Sequence, residues 1–194
     1  MRNAATIAGI GHNQGPNMER GHKFRSFQWQ QARKEAMPNT IPLMVVKMHV
    51  ARARALGLDY ATYATVRKAS GRDIMGILFS SNALRVMRAD APQMPLDRAD
   101  AVQAISGAKR LALVHAPLAA GAVAAANPVL DMAAPAPKFT QTWAEMRDHL
   151  GGVIIGQKLL SDQVLIVGDT ALEREWHGAA RAAGYVDAAR YFAP

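Results

Sequence analysis

Cysteine is absent from these 194 residues. That excludes disulfides, thiolate nucleophiles and every zinc site built on cysteine, and it fits a reducing compartment. Long hydrophobic runs are absent too. Arg, His, Pro or Gly interrupts each apolar window well before the roughly 18 residues that a membrane span needs, so no transmembrane helix is expected. Residues 1–16, MRNAATIAGIGHNQGP, hold no apolar stretch long enough for the core of a secretory signal, and a cytoplasmic location is the expectation. The patterns GxGxxG, GxxxxGKS/T and GxSxG do not occur, which leaves no dinucleotide fingerprint, no P-loop and no hydrolase elbow. His12, His22, His49, His115, His149 and His177 show neither HxxxH nor HExxH spacing, so neither a metal nor a cofactor is expected.

What is present is charge of one sign in one place. The formal net charge is +8, yet residues 1–72 hold twelve Lys or Arg against three acids, while the remaining 122 residues hold eleven against twelve. The whole excess sits in the first third, the distribution expected of a chain that meets a polyanion there. Half of the residues are hydrophobic, at 50%, which is enough for a packed core. The length suits one domain or two small ones.

Residues 1–22, with Gly9, Gly11, Gly15, Pro16 and Gly21 and few large apolar groups, read as a flexible tail. Residues 23–90 read as a basic helical region. KFRSFQWQQARKEAM interleaves Phe24, Phe27 and Trp29 with Lys23, Arg25, Arg33 and Lys34, and stops before Pro38. Pro42 suits the opening of a second helix with Leu43, Val46, Val50 and Ala53 on one face, and Gly57 closes it. Asp59 is placed to cap a third helix, with Tyr60, Tyr63, Ala64 and Val66 inward, that Gly71 stops. The same logic at Asp73 predicts a fourth helix from Ile74. A glycine turn between two helices has the layout of a helix-turn-helix DNA reader. Here, however, Ile74, Met75, Ile77, Leu78 and Phe79 put hydrocarbon where such a helix presents polar side chains to base edges. That segment is therefore expected to be buried, with Ser80, Ser81 and Asn82 used for local bonding or for lining an interface.

Residues 97–194 read as a small α/β unit with a short parallel sheet, so the fold class is α/β, or α+β with the helical region counted in. Asp97 is expected to cap a helix that Gly107 ends, and KRLALVHA reads as a buried strand. Residues 117–138, rich in Ala and Pro, are either a loose crossover or a short helix followed by a linker. TWAE at 142–145 is a capping box, QVLIVGDT a second strand, and ALEREWHGAARAAG a helix that Gly184 ends. Ligands of an open parallel sheet lie beyond the carboxyl ends of its strands, which gathers His115, Gly168, Asp169 and Thr170 on one rim. Amides opening the last helix suit an anion there, provided Asp169 does not repel it. The plainer account makes Asp169 a helix cap and His115 a hydrogen-bonded histidine at a strand end.

From about residue 143 to 186, HLGGVIIGQKL and VLIVGDTALEREWHGAARAAG resemble the closing part of the sugar-acid kinases of the 2-keto-3-deoxygalactonate kinase family. The resemblance implies a glycine-containing apolar helix, a strand and a terminal helix. It touches packing residues and carries no nucleotide-binding or phosphoryl-transfer element into this chain.

Together these features predict a non-enzymatic binding or regulatory protein whose basic third engages DNA or RNA. Lys23, Arg25, Arg33, Lys34, Lys47, Arg52, Arg54, Arg67 and Lys68 would neutralise phosphates, and Trp29 would stack on exposed bases. No catalytic residue is singled out on that reading. The alternatives are an α/β enzyme or small-ligand sensor working at the rim of His115, Gly168, Asp169 and Thr170, and a subunit of a protein assembly whose basic tail orders on its partner.

Overall fold

A computed structural model describes residues 22–36 and 41–193 of the chain, with the side chains of residues 25–32 and 41–193. Residues 1–21 of the expected tail, and the side chains of Lys23, Arg33 and Lys34, lie outside those described. The chain divides into two units, one ending at Leu43 and the other running from Met44 to Pro194. The first holds α1 (His22–Ala36), an uninterrupted run without Gly or Pro in which Phe27 and Trp29 are exposed.

The second unit is built on five parallel strands in the order β3-β2-β1-β4-β5. They are β1 (Gly76–Ser80), β2 (Lys109–Val114), β3 (Met132–Pro135), β4 (Val164–Gly168) and β5 (Gly184–Asp187). The central three alternate between two cores, as the two-residue period of a strand requires. Ile77, Phe79, Ala112, Val114, Leu165 and Val167 point to one face, where α2 (Leu43–Ala55), α3 (Tyr60–Ser70), α4 (Leu96–Gln103), α5 (Ala120–Ala126) and α8 (Ala188–Tyr191) supply Ala53, Tyr63, Val102, Val123 and Tyr191. Leu78, Leu111, Leu113, Val164 and Ile166 point to the other, where α6 (Trp143–Gly156) and α7 (Ala171–Ala180) supply Leu150, Ile154 and Trp176. The result is three layers, helices on both faces of a parallel sheet, the α/β class expected.

Several expectations need correction. The segment from Ile74 is the central strand β1 rather than a helix, and all five of its residues are buried. A strand covered on both faces shows an unbroken apolar run instead of alternation, which at this length has the same look as the start of a buried helix. Asp73 caps no helix; its carboxylate accepts from Arg52 Nε at 2.9 Å and from the Tyr63 hydroxyl at 2.9 Å. Within 117–138 the chain forms both the short helix α5 and a further strand, β3, at the sheet edge. α4 starts one residue before Asp97, which makes no cap bond. α7 ends at Ala180 and is capped by Arg181, in the left-handed region at φ 52°, while Gly184 opens β5. A Cβ on Gly184 would lie 2.9 Å from Val66 Cγ2, so that glycine lets α3 close on the strand. The Asp59 cap, the left-handed Gly71 and the Thr142–Glu145 capping box are present where the sequence placed them.

Candidate functional site

The strand order reverses between β1 and β4. From β1 the chain steps outward to β2 and β3, then crosses through α6 to β4 on the opposite flank. At such a switch point the loops leaving adjacent strands diverge and open a crevice at their carboxyl ends. Ser80 ends β1 there with Ser81 and Asn82 after it, His115 follows β2, and Gly168 ends β4 with Asp169 and Thr170 after it.

The group that organises this rim is Glu173, in the first turn of α7 and fully buried. Thr170 caps α7 through a capping box in which Thr170 Oγ1 accepts from the Glu173 amide at 3.3 Å and Glu173 Oε2 accepts from the Thr170 amide at 3.1 Å. The same Oε2 accepts from the Asp169 amide at 2.6 Å. Oε1 accepts from Asn82 Nδ2 at 2.8 Å and meets His115 Nε2 at 2.7 Å. Ser80 adds a side-chain hydrogen bond. Burial alone pushes the Glu173 carboxyl up. The hydrogen bonds from His115, the Asp169 amide, Ser80 and the Thr170 amide outweigh it, and the net shift is downward from 4.5. Glu173 is therefore a carboxylate at neutral pH.

The local sequence explains how the carboxylate fits. A Cβ on Gly168 would lie 2.9 Å from Glu173 Cβ, 3.0 Å from Glu173 Oε2 and 3.0 Å from Tyr185 Cε2, so this position admits only glycine without displacement. Ser80 Oγ accepts from the Ala83 amide at 3.0 Å and turns the chain after β1, carrying Asn82 toward Glu173. Ser81 Oγ accepts from the His115 amide at 3.2 Å and ties the ends of β1 and β2 together. The His115 ring stacks on Trp176 at 5.4 Å, and its side chain keeps 24% of its surface exposed.

Of the four rim residues singled out in the sequence, the structure brings His115, Gly168, Asp169 and Thr170 together, in parts that differ from those first assigned. Thr170, not Asp169, caps the helix. Gly168 makes room for a carboxylate instead of facing a ligand. Glu173 escaped sequence reasoning, and Asn82, expected only to bond locally or line an interface, was not placed at this rim. The spacing TALE at 170–173 signals the capping box, but nothing in it reports that the glutamate is buried.

The basic residues are divided. Arg52 is a structural hub: besides Asp73, its guanidinium donates to the carbonyls of Ile74 at 2.7 Å, Ser106 at 3.1 Å and Gly107 at 3.0 Å. Arg67 lies 3.8 Å from Asp73 and donates to the Tyr63 hydroxyl at 3.3 Å. Lys47 and Arg54 on α2 and Lys68 on α3 are exposed. Arg25 and Trp29 are exposed on α1, in the other unit.

At the carboxyl end of β5 a cleft of about 310 Å³ is lined by Thr62, Thr65, Arg174, Tyr185, Asp187 and Arg190, among others. Its cations are already neutralised, Arg174 by Asp187 at 2.9 Å and Arg190 by Asp59 at 3.3 Å. Burial and the Asp187 charge push the Tyr185 hydroxyl up to about 12. Among the described residues no group of three His, Cys, Asp or Glu is placed to hold a metal ion. No helix among them is long and apolar enough to cross a membrane. No protein-family model, curated protein or solved structure matches the chain. The stretch resembling the sugar-acid kinases forms α6, β4, α7 and most of β5, elements of the sheet and one covering layer.

Proposed function

We propose that the Met44–Pro194 unit is a small-ligand domain, an enzyme or a sensor, working at the carboxyl rim of β1, β2 and β4 with His115 as its central group. One observation carries this reading: a fully buried carboxylate is hydrogen-bonded to a partly exposed imidazole at the switch point of a parallel sheet. Burying a carboxylate costs several kcal/mol before its partners offset it, and a fold with only packing to satisfy does as well with an apolar side chain. A carboxylate behind an imidazole fixes the ring's orientation and tautomer, which leaves the outer nitrogen ready to accept a proton or a ligand donor. The test is a thermal-shift screen of wild-type protein against a chemically mixed library of small polar molecules. Compounds that raise the melting temperature should lose their effect in His115→Ala. A screen with no hits, or hits that survive that substitution, removes the reading.

A second reading, phosphate contacts to DNA or RNA, is favoured by Lys47, Arg54 and Lys68, which are exposed and form no ion pair in the described structure. Such contacts give affinity without sequence choice and weaken steeply with salt. A labelled duplex whose mobility is unchanged by micromolar full-length protein at low salt rules it out.

A further inference from the structure

We infer that the open face of the His115 site takes a hydrogen-bond donor, a small molecule presenting an ammonium or guanidinium group, and turns away phosphate and carboxylate. This rests on the ligand-site reading above and narrows it to a chemical class. The inference comes from following each donor and acceptor around Glu173.

An ionised carboxylate only accepts. Asn82 must therefore present its Nδ2 to Glu173 Oε1, and His115 must present Nε2 carrying a proton. The same buried oxygen calls for both choices, and with the imidazole neutral each leaves the opposite kind of atom on the far side of its side chain. Asn82 is left with its carbonyl oxygen and His115 with the lone pair of Nδ1. Neither atom has a partner among the described residues, and neither is among the polar atoms sealed from solvent without one. Asp169, exposed on the same rim, adds a carboxylate.

Several donors of the rim that could serve an anion are already taken. The amides of Asp169 and Thr170, just before the first turn of α7, both donate to Glu173 Oε2. The Glu173 amide donates to Thr170 Oγ1, the Ala83 amide to Ser80 Oγ and the His115 amide to Ser81 Oγ. The protein's own carboxylate occupies these donors, and the exposed Asp169 carboxylate opposes an incoming anion. A metal ion would also satisfy acceptors, but among the described residues no group of three His, Cys, Asp or Glu is placed to hold one. An organic cation fits: N–H groups for the Asn82 carbonyl and the imidazole lone pair, and a positive charge for Asp169.

The experiment is ¹⁵N NMR of the full-length chain with labelled histidine, at mildly alkaline pH and constant ionic strength, with the His115 signals assigned by their loss in His115→Gln. In the free protein Nε2 should carry the proton and Nδ1 should not. Methylguanidinium or ethylammonium chloride should shift Nδ1 saturably, with the millimolar affinity of a small fragment, about 1–10 mM. In Asp169→Asn, a surface change that leaves the backbone amide in place, the dissociation constant should rise about threefold, as for an exposed ion pair. A free protein with the proton on Nδ1 overturns the inference. So does saturation by sodium phosphate or sodium acetate in place of the cations, although the ligand site itself then survives. No shift with any of the four salts removes both the site and the inference.

Discussion

Glu173 shows how one side chain sets both stability and chemistry. Its carboxyl is held below the ordinary value of 4.5, so it binds a proton more weakly folded than unfolded. It therefore contributes stability that is fully present above the unfolded value and is lost as pH falls through the folded one. Glu173→Gln keeps the shape but places an amide donor against either the Asn82 and His115 donors or the two backbone amides. That substitution should cost about 2–4 kcal/mol at neutral pH and should flatten the acid limb of stability against pH, measured by urea unfolding across a pH series. An unchanged acid limb would show that Glu173 is not the group titrating there. Gly168 belongs to the same argument. Its φ is ordinary, so Gly168→Ala is opposed by space alone, and crowding Glu173 and Tyr185 should destabilise by about 1–3 kcal/mol. None of this was legible in ALEREW, where a glutamate inside an amphipathic helix has the look of a solvated one. Tertiary contacts with Asn82 and His115, 91 and 58 residues away, decide otherwise.

At the scale of elements, what the sequence revealed depended on whether an element's signal was local. The Asp59 cap, the Thr142–Glu145 box and the strands KRLALV and VLIVG carry their cause in their own residues. β1 does not, because its helix-like run becomes a strand only by pairing with β2 and β4 on either side. β3, the short MAAP, is alanine and proline after Met132, types that favour strands weakly, and is held by its pairing with β2. The cations follow the same rule, since side-chain type did not disclose that Arg52 bonds to the two loops that enter β1 and β2. Arg52→Met keeps the aliphatic stem and removes the guanidinium, leaving Asp73 and the Ile74 and Gly107 carbonyls short of a donor at the entries to β1 and β2. A loss of about 2–3 kcal/mol is expected from urea unfolding, with nucleic-acid affinity unaffected. A folded Arg52→Met protein of wild-type stability that has lost duplex binding would instead return Arg52 to the list of phosphate contacts.

At the scale of the whole molecule, both core clusters draw on residues from Ala53 onward, so the Met44–Pro194 unit holds its own core. A chain starting at residue 41, which retains Pro42 and all of α2, should unfold in one cooperative step. That truncation also separates the two functional readings. Residues 1–40 carry six of the twelve basic residues in the first third and two of its three acids, and residues 41–72 carry the other six with one acid. Of that second six, Arg52, Arg67 and Arg72 lie beside carboxylates, at 2.9, 3.8 and 2.7 Å, which leaves Lys47, Arg54 and Lys68 to meet phosphate. Three such contacts release about three counterions. The truncated protein should therefore bind duplex DNA with a slope of log affinity against log salt no steeper than about −3, while a full-length chain that also uses Lys23, Arg25, Arg33 and Lys34 should be distinctly steeper. Equal slopes would confine binding to α2 and α3. Ligand-induced shifts at His115 should be the same in both proteins, because every group that sets that rim lies between Ser80 and Trp176.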